Sequence, residues 1–181
     1  MISQTEYLKA RARAVEMMQQ AGIALTPAEI EQFEVADFGL SRLDEIGLEI
    51  VTYVNTERVC AKELVLFPWQ ICPEHKHPPV EGRPGKEETF RCRWGEVYLY
   101  VDGPASAEFL GRLPEQHGEH LTVRRQIVLR PGDQFTLDPG LWHWFQGGPE
   151  GAIVSEFSTH STDENDIFRD PAIARAPVIE E

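Results

Sequence analysis

From Gly47 onward, apolar and polar positions alternate with period two and β-branched residues become frequent, as in Leu48-Glu49-Ile50-Val51-Thr52-Tyr53-Val54, then Cys60 to Phe67 and Trp69 to His77. This is the pattern of strands, because successive side chains on an extended backbone leave opposite faces. The chain before that point is helical in character. Tyr7, Leu8, Ala12, Val15, Met18 and Ala21 recur near helical spacing, behind a capping box of Ser3 and Glu6 and ahead of a stop at Gly22. A second box, Thr26-Pro27-Ala28-Glu29, opens a short helix with Ile30 and Phe33 on its apolar side. After His77 the strand-like runs are Glu88 to Arg93, Glu96 to Val101, Leu121 to Leu129, Gln134 to Leu137, Leu141 to Phe145 and Ala152 to Ser158. Turn signals separate them at Trp94-Gly95, Asp102-Gly103-Pro104, Arg130-Pro131-Gly132-Asp133, Pro139-Gly140 and Gly147-Gly148-Pro149. Many short strands with no helix between them predict a mostly-β sandwich or small barrel, and a double-sheet jelly roll suits the count. The expected organisation is one domain: a helical segment over residues 1–40, a β-barrel over 47–158 and a polar, then Pro- and Ala-containing extension over 159–181.

Composition narrows the choice of partner. Seventeen basic against thirty acidic residues leave a formal charge of −13, which repels phosphodiester backbones and anionic membrane surfaces. A neutral or cationic small molecule fits better than nucleic acid, and no stretch approaches membrane-spanning length. Cys60, Cys72 and Cys92 are odd in number and lack Cys-x-x-Cys spacing, so reduced thiols in a cytoplasm are expected rather than a disulfide framework or a thiolate zinc site. Exposed β-edges make a homodimer the expected assembly.

The most specific chemistry lies in Glu74-His75-Lys76-His77 and in two later positions, Glu88 and His143. A two-residue spacing places both imidazoles of the first segment on one face of an extended backbone. Glu88 begins a second strand-like run, expected to return antiparallel to the first, and His143 comes after the Pro139-Gly140 turn that launches a third. His75, His77, Glu88 and His143 together make a set of three nitrogens and one oxygen suited to a divalent cation. His117, His120 and His160 stand in polar, loop-like sequence without a paired ligand and are expected to play no part in it.

These residues carry a resemblance to the cupin superfamily. Its first motif, His-x-His followed by Glu and a later Gly, is matched by His75, His77, Glu88 and Gly95; its second is matched by Gly132, Gly140 and His143. Two departures stand in the second motif: the proline is Pro139 rather than residue 138, and Gly147 occupies the place of an Asn. Ten residues separate His77 from Glu88 where a typical cupin has fewer, a loop expected at the mouth of the barrel. Within the superfamily, Pro73 to Val101 looks most like the D-lyxose isomerase family. The resemblance implies a cupin-type double-stranded β-helix, a jelly-roll barrel, with N-terminal helices. It also implies Mn2+ held by His75, His77, Glu88 and His143, with Fe2+, Co2+ or Zn2+ as other divalent candidates. The implied reaction interconverts D-lyxose and D-xylulose, with D-mannose and D-fructose as a further pair, by proton transfer through a metal-stabilised enediol.

Such a reaction needs a base at carbon and a group that manages the hydroxyl proton. Glu156 interrupts the apolar run Ala152 to Ser158 and shares a face with Val154 and Ser158; the resemblance implies that it is the base. Lys86 precedes Glu88 by two, so continued extension puts its amine on the ligand side, where a partly desolvated site near a cation is expected to lower its pKa. Asp166 is implied by the resemblance to fold back over the mouth and bind a sugar hydroxyl. Glu87 and Arg91 have the opposite parity to Glu88 and are expected to face away. The donor types also suit a non-haem iron dioxygenase, since they do not select the metal. Arg83, Lys86 and Arg91 keep a sugar-phosphate isomerase among the alternatives, and a ligand-binding cupin without catalysis is the third.

Overall fold

The structure, a computed structural model, describes residues 2–176, 179 and 180. In chain order its elements are β1 (Ile2–Ser3), α1 (Gln4–Gln20), α2 (Pro27–Glu31), β2 (Glu34–Ala36), β3 (Leu48–Asn55), β4 (Cys60–Leu66), β5 (Ile71–Lys76), β6 (Glu88–Val101), β7 (Arg125–Leu129), β8 (Gln134–Leu137), β9 (His143–Ser158), β10 (Ile167–Phe168) and β11 (Ile179–Glu180). Both capping boxes form: the side chains of Ser3 and Thr26 accept from the backbone of Glu6 and Glu29, whose carboxylates accept in return. The buried stripe of α1 is displaced from the expected one. Ala10, Ala14, Met17 and Met18 face the sheet, whereas Leu8 is 41% exposed.

β2 to β10 form one mostly antiparallel sheet, and two of its strands account for its closure. β9 is bordered by β6 on one side and by β4 and β5 on the other; β6 in turn carries β7 and β8 on its far side. A straight 14-residue strand would span roughly 45 Å. Yet Val101, at one end of β6, is the ladder partner of His143, while the carboxylate of Glu88, at the other end, lies 3.0 Å from the His143 ring. β6 must therefore fold back, and it does so at register shifts between Cys92 and Trp94 and between Gly95 and Val97. Gly95 sits at φ +70°, and a Cβ there would lie 2.1 Å from the Gly151 carbonyl oxygen, so the two bent strands touch backbone to backbone at the corner. The sheet curls on these corners into the cupin-type double-stranded β-helix.

Two expected divisions of the chain thus disappear. Trp94-Gly95 and Gly147-Gly148-Pro149 read as turns between separate strands, but the ladder resumes beyond each and the strands are continuous through the bends. β5 and β6 do not pair with each other as a hairpin either; both border β9. The run from Leu121 becomes a strand only at Arg125, since the preceding connection packs Leu121 and Val123 under Trp144, whose indole N–H donates to the Val123 carbonyl at 3.1 Å.

Inside the barrel, alternation sorts the chemistry by depth. Leu64, Val154 and Cys92 share one ladder row and form part of an apolar floor with Leu48, Ile50 and Phe145. The next row toward the mouth carries Lys62, Glu156 and Phe90, and the last carries Cys60, Ser158 and Glu88. On the outside, Val51, Val65 and Ile153 are covered by α1.

Candidate active site at the barrel mouth

Three strand ends bring the histidines and the glutamate together. His75 and His143 are direct ladder partners across β5 and β9, with ring centroids 4.3 Å apart. His77 continues the alternation just past β5, and Glu88 is the first residue of β6. One ring nitrogen from each histidine lies within 4.8 Å of the others. Glu88 Oε1 lies 3.0 Å from both His77 Nε2 and His143 Nε2.

The outer nitrogens explain why the inner ones converge. Nδ1 of His75 donates to the Pro73 carbonyl at 2.8 Å, Nδ1 of His143 to the Leu141 carbonyl at 3.0 Å, and Nδ1 of His77 to Asp166 Oδ1 at 2.6 Å. Each ring is thereby fixed in orientation, with Nε2 turned toward the centre. Nε2 of His143 is buried and, although close to Glu88, makes no hydrogen bond among the described residues. A buried lone pair without a hydrogen bond, beside two further imidazoles and a carboxylate, fits a cation as its partner. The three histidines could hold a divalent ion.

The electrostatics agree. Burial, with the neighbouring His143 and His77, holds the His75 pKa well below its ordinary value, so it stays neutral. Burial also works against charge on His77, but Glu88 and Asp166 more than offset it and raise the pKa to about 9, marking a position that attracts a proton or a metal cation. Burial would raise the Glu88 pKa, yet Lys86 and His77 keep it well below the usual carboxylate range.

Lys86 and Glu156 meet beside this centre. Lys86 Nζ lies 2.8 Å from Glu88 Oε2, 3.0 Å from Glu156 Oε1 and 3.4 Å from Asp163 Oδ1. The expected parity of Lys86 is thus present, but the expected fall in its pKa is not. Burial does push it down, and the surrounding carboxylates of Glu156, Glu88 and Asp163 push it well above the ordinary value, so the group is an ammonium and a hydrogen-bond donor. Glu156 is 3% exposed and points inward; alternation with Val154 and Ser158 allowed either face, and the barrel decides for the inner one. Its Oε1 accepts from Lys86 and, at 3.1 Å, from Ser158; its Oε2 accepts no hydrogen bond among the described residues.

Asp166 lies over the mouth because β10 pairs with the end of β5, placing Phe168 opposite His75. One of its oxygens is committed to His77, and its side chain lines the cavity. Glu87 and Arg91 are exposed and play no part in the cavity. His117 bonds to Asp170, His120 lies 3.7 Å from the same carboxylate, and His160 faces Asn55 and Thr56, all away from the centre.

Three charged residues of the site carry little or no mark in the sequence. Lys62 donates to Asp163 Oδ2 at 2.6 Å and to Ser161 Oγ at 2.8 Å, and lies 3.8 Å from Glu156. Asp163 also meets Arg175 at 3.3 Å, and Arg175 pairs with Glu34. For Lys62 a signal existed, its even parity with Cys60 and Leu64 in a strand facing inward. Asp163 and Arg175 have no such signal, Asp163 opening a single 3₁₀ turn and Arg175 lying outside any helix or strand. Phe38, Phe90, Phe145 and Phe168 supply the aromatic lining, whereas Tyr100 and Trp144 stack in a cluster outside the barrel interior.

Known proteins are similar to this chain in sequence and in scaffold. A family model described as D-lyxose isomerase matches residues 115–181. The chain is 61% identical over 176 residues to the D-lyxose ketol-isomerase of Cohnella laeviribosi, covering 97% of each. It is 54% identical over 181 residues to the D-lyxose/D-mannose isomerase of Thermosediminibacter oceani, covering 100% of each. Among solved structures, the L-ribose isomerase of Acinetobacter sp. DL28 superposes with a TM-score of 0.82 over 99% of this chain and 98% of that one, at 18% identity, a likeness of fold.

Proposed function

The chain belongs to the D-lyxose isomerase family, and from that premise we propose that it is a metal-dependent ketol-isomerase interconverting D-lyxose and D-xylulose, and likewise D-mannose and D-fructose. The observation that carries this reading is the placement of one buried, inward-facing carboxylate, Glu156, beside the three-histidine cluster of His75, His77 and His143 and the Glu88 carboxylate that adjoins it. We assign those four as ligands of Mn2+; Fe2+, Co2+ and Zn2+ satisfy the same donor types, so reconstitution with each metal in turn ranks them.

A divalent cation held there supplies Lewis acidity to the carbonyl and the adjacent hydroxyl oxygen of the sugar. The protein's own groups do the rest. Glu156 Oε2, which accepts no hydrogen bond among the described residues, removes the proton from C2 of the aldose, exchanges it with solvent and delivers a proton to C1. Lys86, kept protonated by its carboxylate neighbours, hydrogen-bonds the oxygens on which negative charge develops and manages the hydroxyl proton. Lys86 in turn holds Glu156 and Glu88 in one arrangement. Asp166 orients His77 through one oxygen and accepts a sugar hydroxyl with the other. A dioxygenase would have no use for this protonated lysine and carboxylate pair at the metal cluster.

The reading includes a cytoplasmic homodimer, supported by three buried free thiols and by an uncovered outer sheet face on which Phe157 is 51% exposed.

Manganese-loaded protein supplied with D-lyxose in deuterated water is expected to place deuterium on C1 of the D-xylulose formed, read by NMR. Glu156→Gln is expected to lower turnover by roughly 10²–10⁴-fold while retaining manganese. Turnover with no label in the product would overturn the solvent-exchanging proton-transfer path, and an unimpaired variant would remove Glu156 from the mechanism.

A further inference from the structure

The cavity lined by His75, His77, Glu88, Glu156 and the apolar floor has a free volume of about 30 Å³, room for a few waters and too small for a pentose. One wall must therefore give way to admit a sugar. The strands that line it are fixed in the ladder, Lys62 included, which is held between Thr52 of β3 and Glu156 of β9. Asp163 and Arg175 are different. They lie outside the strands of the ladder, on the segment after β9, whose backbone is joined to the rest of the chain, up to Arg175, by the two-residue β10 and by single hydrogen bonds such as that from the Ala174 N–H to the Phe38 carbonyl at 2.9 Å.

Lys62, Asp163 and Arg175 also line an outer hollow of about 580 Å³, together with Thr52, Asn55 and Ala176. The three ion-paired side chains are thus a partition with the site on one side and open space on the other. From the ligands outward the contacts run from Glu88 to Lys86, from Lys86 to Glu156 and Asp163, then to Lys62 and Arg175. A sugar with C1 and C2 at the metal end and its carbon backbone extended along this series brings its tail to the partition.

D-Lyxose and D-mannose share configuration at C2, C3 and C4 and differ by the hydroxymethyl group added at the tail. Resting on the isomerase reading above, we propose that the Lys62, Asp163 and Arg175 partition is the specificity wall that sets chain length, and that a hexose is accepted only as far as Arg175 yields its place to the sixth carbon. The polar partition suits this task. Its ion pairs exchange for contacts with tail hydroxyls, and its outer side opens on volume that a hydroxymethyl group can enter.

Two variants push the wall in opposite directions. Arg175→Ala joins the cavity to the outer hollow, and Thr52→Trp, at an exposed position of β3, fills that hollow. For each manganese-loaded protein, kcat/KM is measured for D-lyxose and D-mannose. Kd is measured by calorimetry for D-arabinitol and D-mannitol, the five- and six-carbon polyols with matching configuration that cannot isomerise. Arg175→Ala is expected to raise the six-to-five-carbon preference about tenfold in both measures, and Thr52→Trp to lower it by a similar factor, the scale of one carbon unit in a fitted pocket. Preferences within about twofold of the parent in both variants would overturn the proposal while leaving the isomerase reading standing. A parent protein that binds a polyol but converts neither sugar would sink the isomerase reading, and the polyol preference would still decide the wall. A parent that neither binds nor converts overturns both.

Discussion

Glu49 shows what a single buried group does when no counter-charge accompanies it. The residue is fully buried on β3, accepts from Gln70 at 3.1 Å through Oε1, and has no hydrogen bond to Oε2 among the described residues. Burial raises its pKa from 4.5 to about 8, with Gln70 and Arg13 offsetting only part of that. Between those values the folded protein holds a proton that the unfolded chain has released, so stability is highest below pH 4.5 as far as this group is concerned and declines as pH rises through 8. The slope is at most about 1.4 kcal/mol per pH unit. Urea unfolding at pH 5 and pH 8 is expected to show the Glu49→Gln variant gaining on the parent at the higher pH, and a constant difference would refute the assignment. Lys86 makes the contrasting case. It is as deeply buried, but three carboxylates hold its charge in place. Its position was readable from parity with Glu88; its protonation state was not, because Asp163 and Glu156 arrive from strands and loops far along the chain.

At the scale of elements, the capping boxes were legible to the residue, since a cap is a contact among four consecutive positions. The burial stripe of α1 was less so. Tyr7, Ala10, Ala14 and Met17 satisfy helical spacing as well as the set containing Leu8 and Ala12 does, and only the docking of the helix on Val65 and Ile153 decides between them. Strand continuity was also hidden, because a glycine that ends a strand and one that bends it look alike in sequence. Gly95 belongs to the second kind. Gly95→Ala would force a side chain into the left-handed region and against the Gly151 carbonyl, and is expected to cost at least about 2 kcal/mol of stability, read as a fall in the midpoint of thermal unfolding. An unshifted midpoint would mean that the corner is not under this constraint.

For the whole molecule, the barrel's outer face is covered unevenly. α1 shields the rows containing Val65 and Ile153, whereas the row of Val54, Ala61, Phe157, Thr89 and Thr136 has no described element over it, and Val54 and Phe157 are 40% and 51% exposed. Burial of this row against its symmetry mate gives the proposed homodimer a physical reason. Sedimentation is expected at twice the chain mass of 20.6 kDa, with Phe157→Asp shifting the protein toward a single chain. A parent protein sedimenting at the single-chain mass would end the dimer reading.

By itself the sequence determined the mostly-β class, the N-terminal helices with their caps, and the parity of His75 with His77, of Lys86 with Glu88 and of Glu156 with Val154 and Ser158. Each of these rests on short-range periodicity or on a motif of a few residues. The tertiary structure alone decided that β6 and β9 fold back so that both ends of one strand meet His143. It also decided that Asp166 serves His77, and that Lys62, Asp163 and Arg175 wall the cavity. Those relations join positions up to about a hundred residues apart, where which charges meet depends on how the sheet closes rather than on any local pattern.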